Sequence, residues 1–216
     1  MSTDPSSRRP GRPKAEEAPA TVDAMLAAAL AAFATHGYDG VSVNALSREL
    51  GVSHNLLHQR FGSKGGLWYA AVDWGFGGMA DELARAVDPT LTDPLDQLAL
   101  ILRRFLEVSA ERPELVGLMN IEGREDSARL DYLFEHYVDP LTAPIGRLLG
   151  HLAEEGRIRP VSGRAFHFLI THGAAAPFTL TALARHLDPV DPLDPAERDA
   201  YIDMVVGLLL AGLRPS

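Results

Sequence analysis

The chain has 216 residues, of which 46% are apolar and 23% charged, a composition that is typical of globular proteins and excludes a disordered or fibrous chain. The absence of cysteine excludes disulfides and thiolate metal sites. The net charge of −9 does not suit a nucleic-acid-binding surface. However, residues 1–64 hold 7 of the 20 Lys/Arg and only 6 of the 29 Asp/Glu, so the acidity belongs to the rest of the chain.

Residues 1–20 are rich in Pro, Ser and Arg and lack apolar periodicity, which predicts a disordered basic arm. Gly11-Arg12-Pro13 is similar to the core of an AT-hook, and Arg12 would then lie in a narrow minor groove. A solvated tail that contributes only charge explains the arm equally well.

The apolar spacing of the remaining residues predicts an all-α fold of about nine helices, without strand-like alternation. Glycines at 37 and 51 end the first two helices, and prolines at 140 and 144 break or bend the seventh. The predicted helices span residues 21–37, 42–50, 53–61, 64–86, 94–111, 113–122, 127–155, 163–186 and 195–213.

The segment 43–61 has the spacing of a helix-turn-helix. Gly51 supplies the positive φ of the turn, Ser53 starts the second short helix, and Ser47 is small where the two helices approach. The side chains that form its small core are Leu46, Leu50, Val52, Leu57 and Phe61. This arrangement leaves four side chains facing outward that can hydrogen-bond to base edges in a major groove: His54, Asn55, His58 and Gln59.

Gly51-Val52-Ser53 is followed by Leu57, Phe61 and Ser63-Lys64, and it is preceded by Phe33, Gly37-Tyr38 and the run 40–43. Over residues 21–70 this pattern resembles the headpiece of the TetR family. A plain helical hairpin shares the turn but not the flanking residues. The resemblance implies a DNA-binding domain over residues 21–66 and a ligand-binding and dimerisation domain over residues 67–216.

In that family the third helix enters the major groove, while the start of the second helix and the Lys opening the fourth hold phosphates. The family usually has Tyr where this chain has His58, which leaves base and phosphate contact both open for this residue. The DNA contacts that we expect are Arg12, Ser42, Asn44, Ser53, His54, Asn55, His58, Gln59 and Lys64.

Family members enclose a ligand pocket in the later helices and dimerise through the last two. Pocket candidates are apolar or aromatic residues with a few polar tips, although each also suits an ordinary core. These are Trp74, Met79, Phe105, Met119, Tyr132, His136 and Tyr137. The expected dimer interface comprises Phe166, Ile170, Gly173, Pro177, Val205 and Leu209.

Residues 165–184 carry no Asp, Glu, Lys or Arg, but two histidines and three threonines make them too polar for a membrane span. We therefore expect a helix buried in an interface, and no membrane association. His167 and His172 are five residues apart, so on a regular helix they do not share a face and no metal site is expected.

These features predict a cytoplasmic, homodimeric DNA-binding transcriptional regulator, a repressor released from a palindromic operator by a small-molecule effector of unknown class. No cofactor is expected. The alternative is a small all-α enzyme or interaction protein built on the same shell. No nucleophile elbow, phosphate loop or metal-ligand spacing supports catalysis.

Overall fold

The computed structural model describes residues 21–215, which are mostly helical and contain no strand, as predicted. No helix in this range combines the length and apolarity that crossing a bilayer requires. The helices are α1 (Val22–Gly40), α2 (Val43–Glu49), α3 (His54–Phe61), α4 (Lys64–Arg85), α5 (Pro94–Glu111), α6 (Pro113–Glu122), α7 (Ala128–Leu133), α8 (Asp139–Glu154), α9 (Gly163–Phe168), α10 (Ala176–Thr179), α11 (Thr181–Leu187) and α12 (Pro195–Leu213).

Local residue chemistry sets the helix ends in the first third of the described chain. The hydroxyls of Ser42, Ser53 and Ser63 each accept from the backbone N–H three residues later, at 3.3, 3.1 and 3.0 Å, and so cap α2, α3 and α4. Gly37 and Gly51 have φ of 69° and 65°, which L side chains rarely adopt. Gly37 thus interrupts α1, and Gly51 makes the turn between α2 and α3, as predicted.

A first hydrophobic core joins the N-terminal helices to the later ones. Phe33 of α1 and Trp68 of α4 are fully buried together with Leu118 of α6 and Leu133 of α7. Because α6 packs along α1 and its Leu115 lies close to Gly75 of α4, the short N-terminal helices do not form a separate unit.

A second core lies between α5, α8, α9, α10 and α12. Its most buried members include Leu98, Leu149, Phe178 and Ile202, and α12 packs mainly along α5. Phe105 of α5 contacts both cores, which places α5 between them.

Two π-helical turns, Phe134–Val138 and Leu169–Ala174, interrupt the helices that were predicted as single segments. Each turn ends two or three residues before a proline, Pro140 or Pro177. A proline has no N–H to give to the carbonyl four residues earlier, and its ring collides with that carbonyl, so the preceding turn widens. The predicted helix 163–186 is therefore wrong as a single helix, since Leu180 has non-helical dihedrals as well.

Ion pairs fix α4 to the two helices that follow it. Glu82 of α4 pairs with Arg104 of α5, and also with Arg112, which precedes α6, at 3.1 Å. Arg112 donates further to the backbone oxygen of Gly75 at 3.4 Å. Apolar packing and these ion pairs together fix the second half of α4.

The two adjacent glycines at the start of α4 provide a matched test of this packing. A Cβ on Gly66 would lie 2.0 Å from the carbonyl oxygen of Phe61, whereas a Cβ on Gly65 would approach the Tyr38 hydroxyl only to 3.5 Å. We expect Gly66→Ala to lower the free energy of unfolding by about 1–3 kcal/mol because backbone must move. Gly65→Ala should be neutral or stabilise by up to about 1 kcal/mol.

The measurement is urea unfolding followed by circular dichroism, at one fixed protein concentration because any dimerisation adds to the apparent stability. Equal effects of the two substitutions would show that the α3–α4 junction is looser than described.

Candidate functional site

The helix-turn-helix of α2 and α3 presents a polar face. Its internal contacts are made by Leu46, Ser47 and Leu57, which are all buried. The residues predicted to meet DNA are exposed, apart from the half-buried Lys64: Ser42, Asn44, Ser53, His54, Asn55, His58 and Gln59. Arg12 lies outside the described residues.

Within α3, His54 and His58 lie one turn apart with nearly parallel rings, their centroids separated by 6.4 Å. The exposed Asn55 and Gln59 form the neighbouring row. A major groove admits one α-helix, and side chains of these types hydrogen-bond to base edges there.

Two cationic side chains lie against the ring of Tyr38, which is near the end of α1. The Lys64 ammonium lies 4.8 Å from the centre of its ring and donates to the Asp39 carbonyl at 3.2 Å. The Arg129 guanidinium of α7 lies 4.2 Å from the same ring. Arg129 also donates to both carboxylate oxygens of the buried Glu122, at 3.1 and 3.0 Å.

A cavity of about 120 Å³ lies between the two cores. Four of the predicted pocket residues line it: Met79, Phe105, Met119 and Tyr137. Three others do not, namely Trp74, Tyr132 and His136. Trp74 packs against the first core instead, and the Tyr132 ring stacks on His136 at 4.0 Å outside the cavity.

Asp73 on α4 accepts two tyrosine hydroxyls at one carboxylate oxygen. The Tyr132 hydroxyl donates at 2.7 Å and the Tyr137 hydroxyl at 2.6 Å. Burial, followed by the nearby Asp73 carboxylate, raises the pKa of Tyr132 to about 12 and raises that of Tyr137 further. Both phenols therefore stay protonated and keep donating. Tyr137 thus lines the cavity, and its hydroxyl donates to Asp73 of α4.

Phe166 and Ile170 were assigned to the dimer interface, and the structure corrects this assignment. Each is 5% exposed within the single chain, and both line the cavity. The two π-helical turns supply further lining residues that sequence reasoning missed, including Thr171 and His172. The prolines that follow each turn were the available signal.

His167 and His172 both line the cavity, with ring centroids 6.3 Å apart. The prediction that they do not share a face holds for an α-helix only. His167 lies near the end of α9 and His172 in the π-helical turn that follows, where the Ala175 N–H donates to the Ile170 carbonyl five residues earlier; the two rings meet across this junction. Burial lowers the pKa of both rings, and for His167 the neighbouring His172 lowers it further, so both are neutral at pH 7.

The outer surface of the last helices carries large apolar side chains. Those exposed by more than half are Phe168, Leu169, Leu180, Leu183, Leu187, Met204 and Leu208. Of the remaining predicted interface residues, Gly173 is exposed, and Pro177, Val205 and Leu209 are half-buried.

Two family profiles match the chain. "Bacterial regulatory proteins, tetR family" matches residues 25–71, and "Tetracyclin repressor-like, C-terminal domain" matches residues 94–209. A comparison with curated proteins found no match.

Several solved structures are similar over nearly their whole length. The fatty acid degradation regulator FadR from Bacillus halodurans has a TM-score of 0.63 at 20% identity, covering 88% of this chain and 98% of its own. PfmR from Thermus thermophilus, a TetR family regulator, gives 0.63 at 22%, covering 91% and 99%. FadR from Bacillus subtilis in complex with stearoyl-CoA gives 0.62 at 17%, covering 88% and 98%.

At these identities the likeness to solved structures establishes the fold. The second profile alone spans more than half of the 216 residues, and the first covers the helix-turn-helix whose exposed face is described above. The chain is a member of the TetR family of bacterial regulators, a DNA-binding transcriptional regulator with a C-terminal ligand-binding domain.

Proposed function

We propose that this regulator is a cytoplasmic homodimeric repressor that leaves its operator when an apolar small molecule fills the cavity between the two cores. The observation that carries the proposal is the position of this cavity. Its walls include Phe76, Met79 and Leu83 of α4, the helix that Lys64 opens next to the DNA-binding face. A ligand there presses on the helix that carries the headpiece.

The chemistry of the walls favours an effector with an acyl chain. Most of the lining is aliphatic or aromatic, and none of the described residues around the cavity carries a formal charge. One of the similar structures is named as a fatty acid degradation regulator, and another was solved with stearoyl-CoA. The alternative of an enzyme has no such support, because the family consists of regulators that are typically non-enzymatic.

The direct test is binding of the purified protein to DNA from upstream of its own gene, with octanoyl-CoA and stearoyl-CoA as probes. Specific binding that falls steeply with salt and is reversed by either thioester supports the proposal. Sequencing the bound DNA should show a near-palindrome, as two-fold symmetry requires. Binding that neither thioester reverses would overturn the choice of an acyl effector.

The DNA-binding face predicts two kinds of variant. Asn55→Ala or Gln59→Ala should cost about 1–3 kcal/mol on the operator and little on random DNA, because these amides would read base edges. Lys64→Ala should weaken binding to every sequence and lower the salt slope by about one, because its ammonium would hold a phosphate. Equal losses on operator and random DNA for Asn55→Ala and Gln59→Ala would reassign both amides to the phosphate backbone.

The exposed apolar side chains of the last helices predict the dimer interface. Leu208 is 64% exposed in the single chain, so Leu208→Arg should leave the protomer folded but place an unpaired charge in the interface. We expect monomers in sedimentation and a collapse of operator affinity. Val87→Arg is the control, since Val87 is 49% exposed but lies outside these helices. If the Leu208→Arg variant remains a dimer, the interface is elsewhere.

The Asp73 contact predicts how the cavity acts on α4. Tyr137→Phe keeps the aromatic wall but removes the hydroxyl that donates to Asp73, whereas Tyr132→Phe removes the other donor, away from the cavity. Operator affinity is measured with and without octanoyl-CoA. Octanoyl-CoA weakens operator binding by a certain factor in the wild type. Tyr137→Phe should reduce that factor about threefold to tenfold, within the usual range of coupling energies, and Tyr132→Phe should reduce it little. If the two variants reduce this factor equally, the hydrogen bond from Tyr137 to Asp73 does not transmit the effect of the ligand to α4.

A further inference from the structure

We propose that the part of the effector enclosed in the cavity is an uncharged acyl derivative, an ester, thioester or amide, whose carbonyl oxygen accepts hydrogen bonds from the ring N–H groups of His167 and His172. This inference rests on the proposed function of the cavity and specifies the chemistry that it recognises.

The first step concerns charge. No Asp, Glu, Lys or Arg is among the described residues that line the cavity. An ionised carboxylate or ammonium placed there would lose its hydration without gaining a counter-charge, which is strongly unfavourable. The enclosed part of a ligand is therefore neutral.

The second step concerns which wall groups remain able to donate. The lining holds three hydroxyl groups, and each already donates inside the chain. Tyr137 donates to Asp73 at 2.6 Å, Thr142 to the Val138 carbonyl at 2.8 Å, and Thr171 to the His167 carbonyl at 2.7 Å. The imidazoles of His167 and His172 are the remaining side-chain donors among the described lining residues.

The third step concerns geometry. The imidazole of His167, on α9, and that of His172, in the π-helical turn that follows, both line the cavity, with centroids 6.3 Å apart. An N–H···O bond spans about 2.9 Å between heavy atoms, so one oxygen lying between the rings can meet both. A carbonyl oxygen has two lone pairs for this purpose, and each neutral imidazole has one N–H to give. The lowered pKa of both rings keeps them in that neutral form.

The test uses three probes with the same chain length: methyl octanoate, octyl methyl ether, which lacks the carbonyl, and octanoic acid. Binding to the full-length protein is measured by titration calorimetry at pH 7.5. One neutral hydrogen bond changes affinity about twofold to tenfold, so two should make the ester bind about tenfold tighter than the ether. The acid, ionised at this pH, should bind more weakly than the ester.

His167→Leu together with His172→Leu should abolish the preference for ester over ether while the ether still binds, which also shows that the variant is folded. Thr171→Val is the matched control, because its hydroxyl is committed to the His167 carbonyl; the preference should persist. Equal binding of ester and ether to the wild type, or tighter binding of the acid, overturns the carbonyl assignment. Failure of all three probes to bind or to release DNA counts instead against the cavity as the effector site.

Discussion

The close packing of α1, α4 and α6 is the constraint on which the rest of the structure depends. Gly75 of α4 sits where a Cβ would come within 2.6 Å of Leu30 and 2.9 Å of Leu115, so the three helices meet without spare volume. Leu115 also lines the cavity. A close-packed interior transmits strain instead of absorbing it. A ligand that moves Leu115 therefore moves α4, and with it the helix-turn-helix that α4 supports.

The headpiece was predictable from sequence because its determinants are local. Three capping serines, three glycines with positive φ and a few apolar positions define the boundaries between α1 and α4 within about forty residues. For residues 67–216, the sequence predicts where helices lie better than it predicts which of their faces are buried. A helix that is apolar on every side carries little information about which side meets which neighbour. Phe166 and Ile170 share one side of a single regular helix 163–186, which predicts an interface, but the fold buries both beside the cavity.

Several differences between the predicted and the observed cavity lie at the two π-helical turns that precede prolines. Pro140 and Pro177 each follow a π-helical turn, and a turn of that kind rotates the side chains after it relative to a regular helix. Tyr137, within the first turn, lines the cavity and donates to Asp73, while His172, within the second, lies 6.3 Å from His167 of α9 between ring centroids. The sequence shows both prolines as helix breakers. Whether a π-helical turn forms before each of them, and which side chains then line the cavity, depends on tertiary packing.

The energy needed for control is comparable with that of one of the contacts that link the two parts. Releasing an operator takes a coupling of about 1–3 kcal/mol, and a hydrogen bond to a charged group such as Asp73 contributes about 1.5–3 kcal/mol. A second link runs from the buried Glu122 through Arg129 to Tyr38, whose ring also holds Lys64. Glu122 would be left as an unpaired buried charge without Arg129, so α7 stays attached to the headpiece. Residues 65–216 hold 23 of the 29 acidic residues and only 13 of the 20 basic ones, so attraction to DNA depends on the headpiece and on its local geometry.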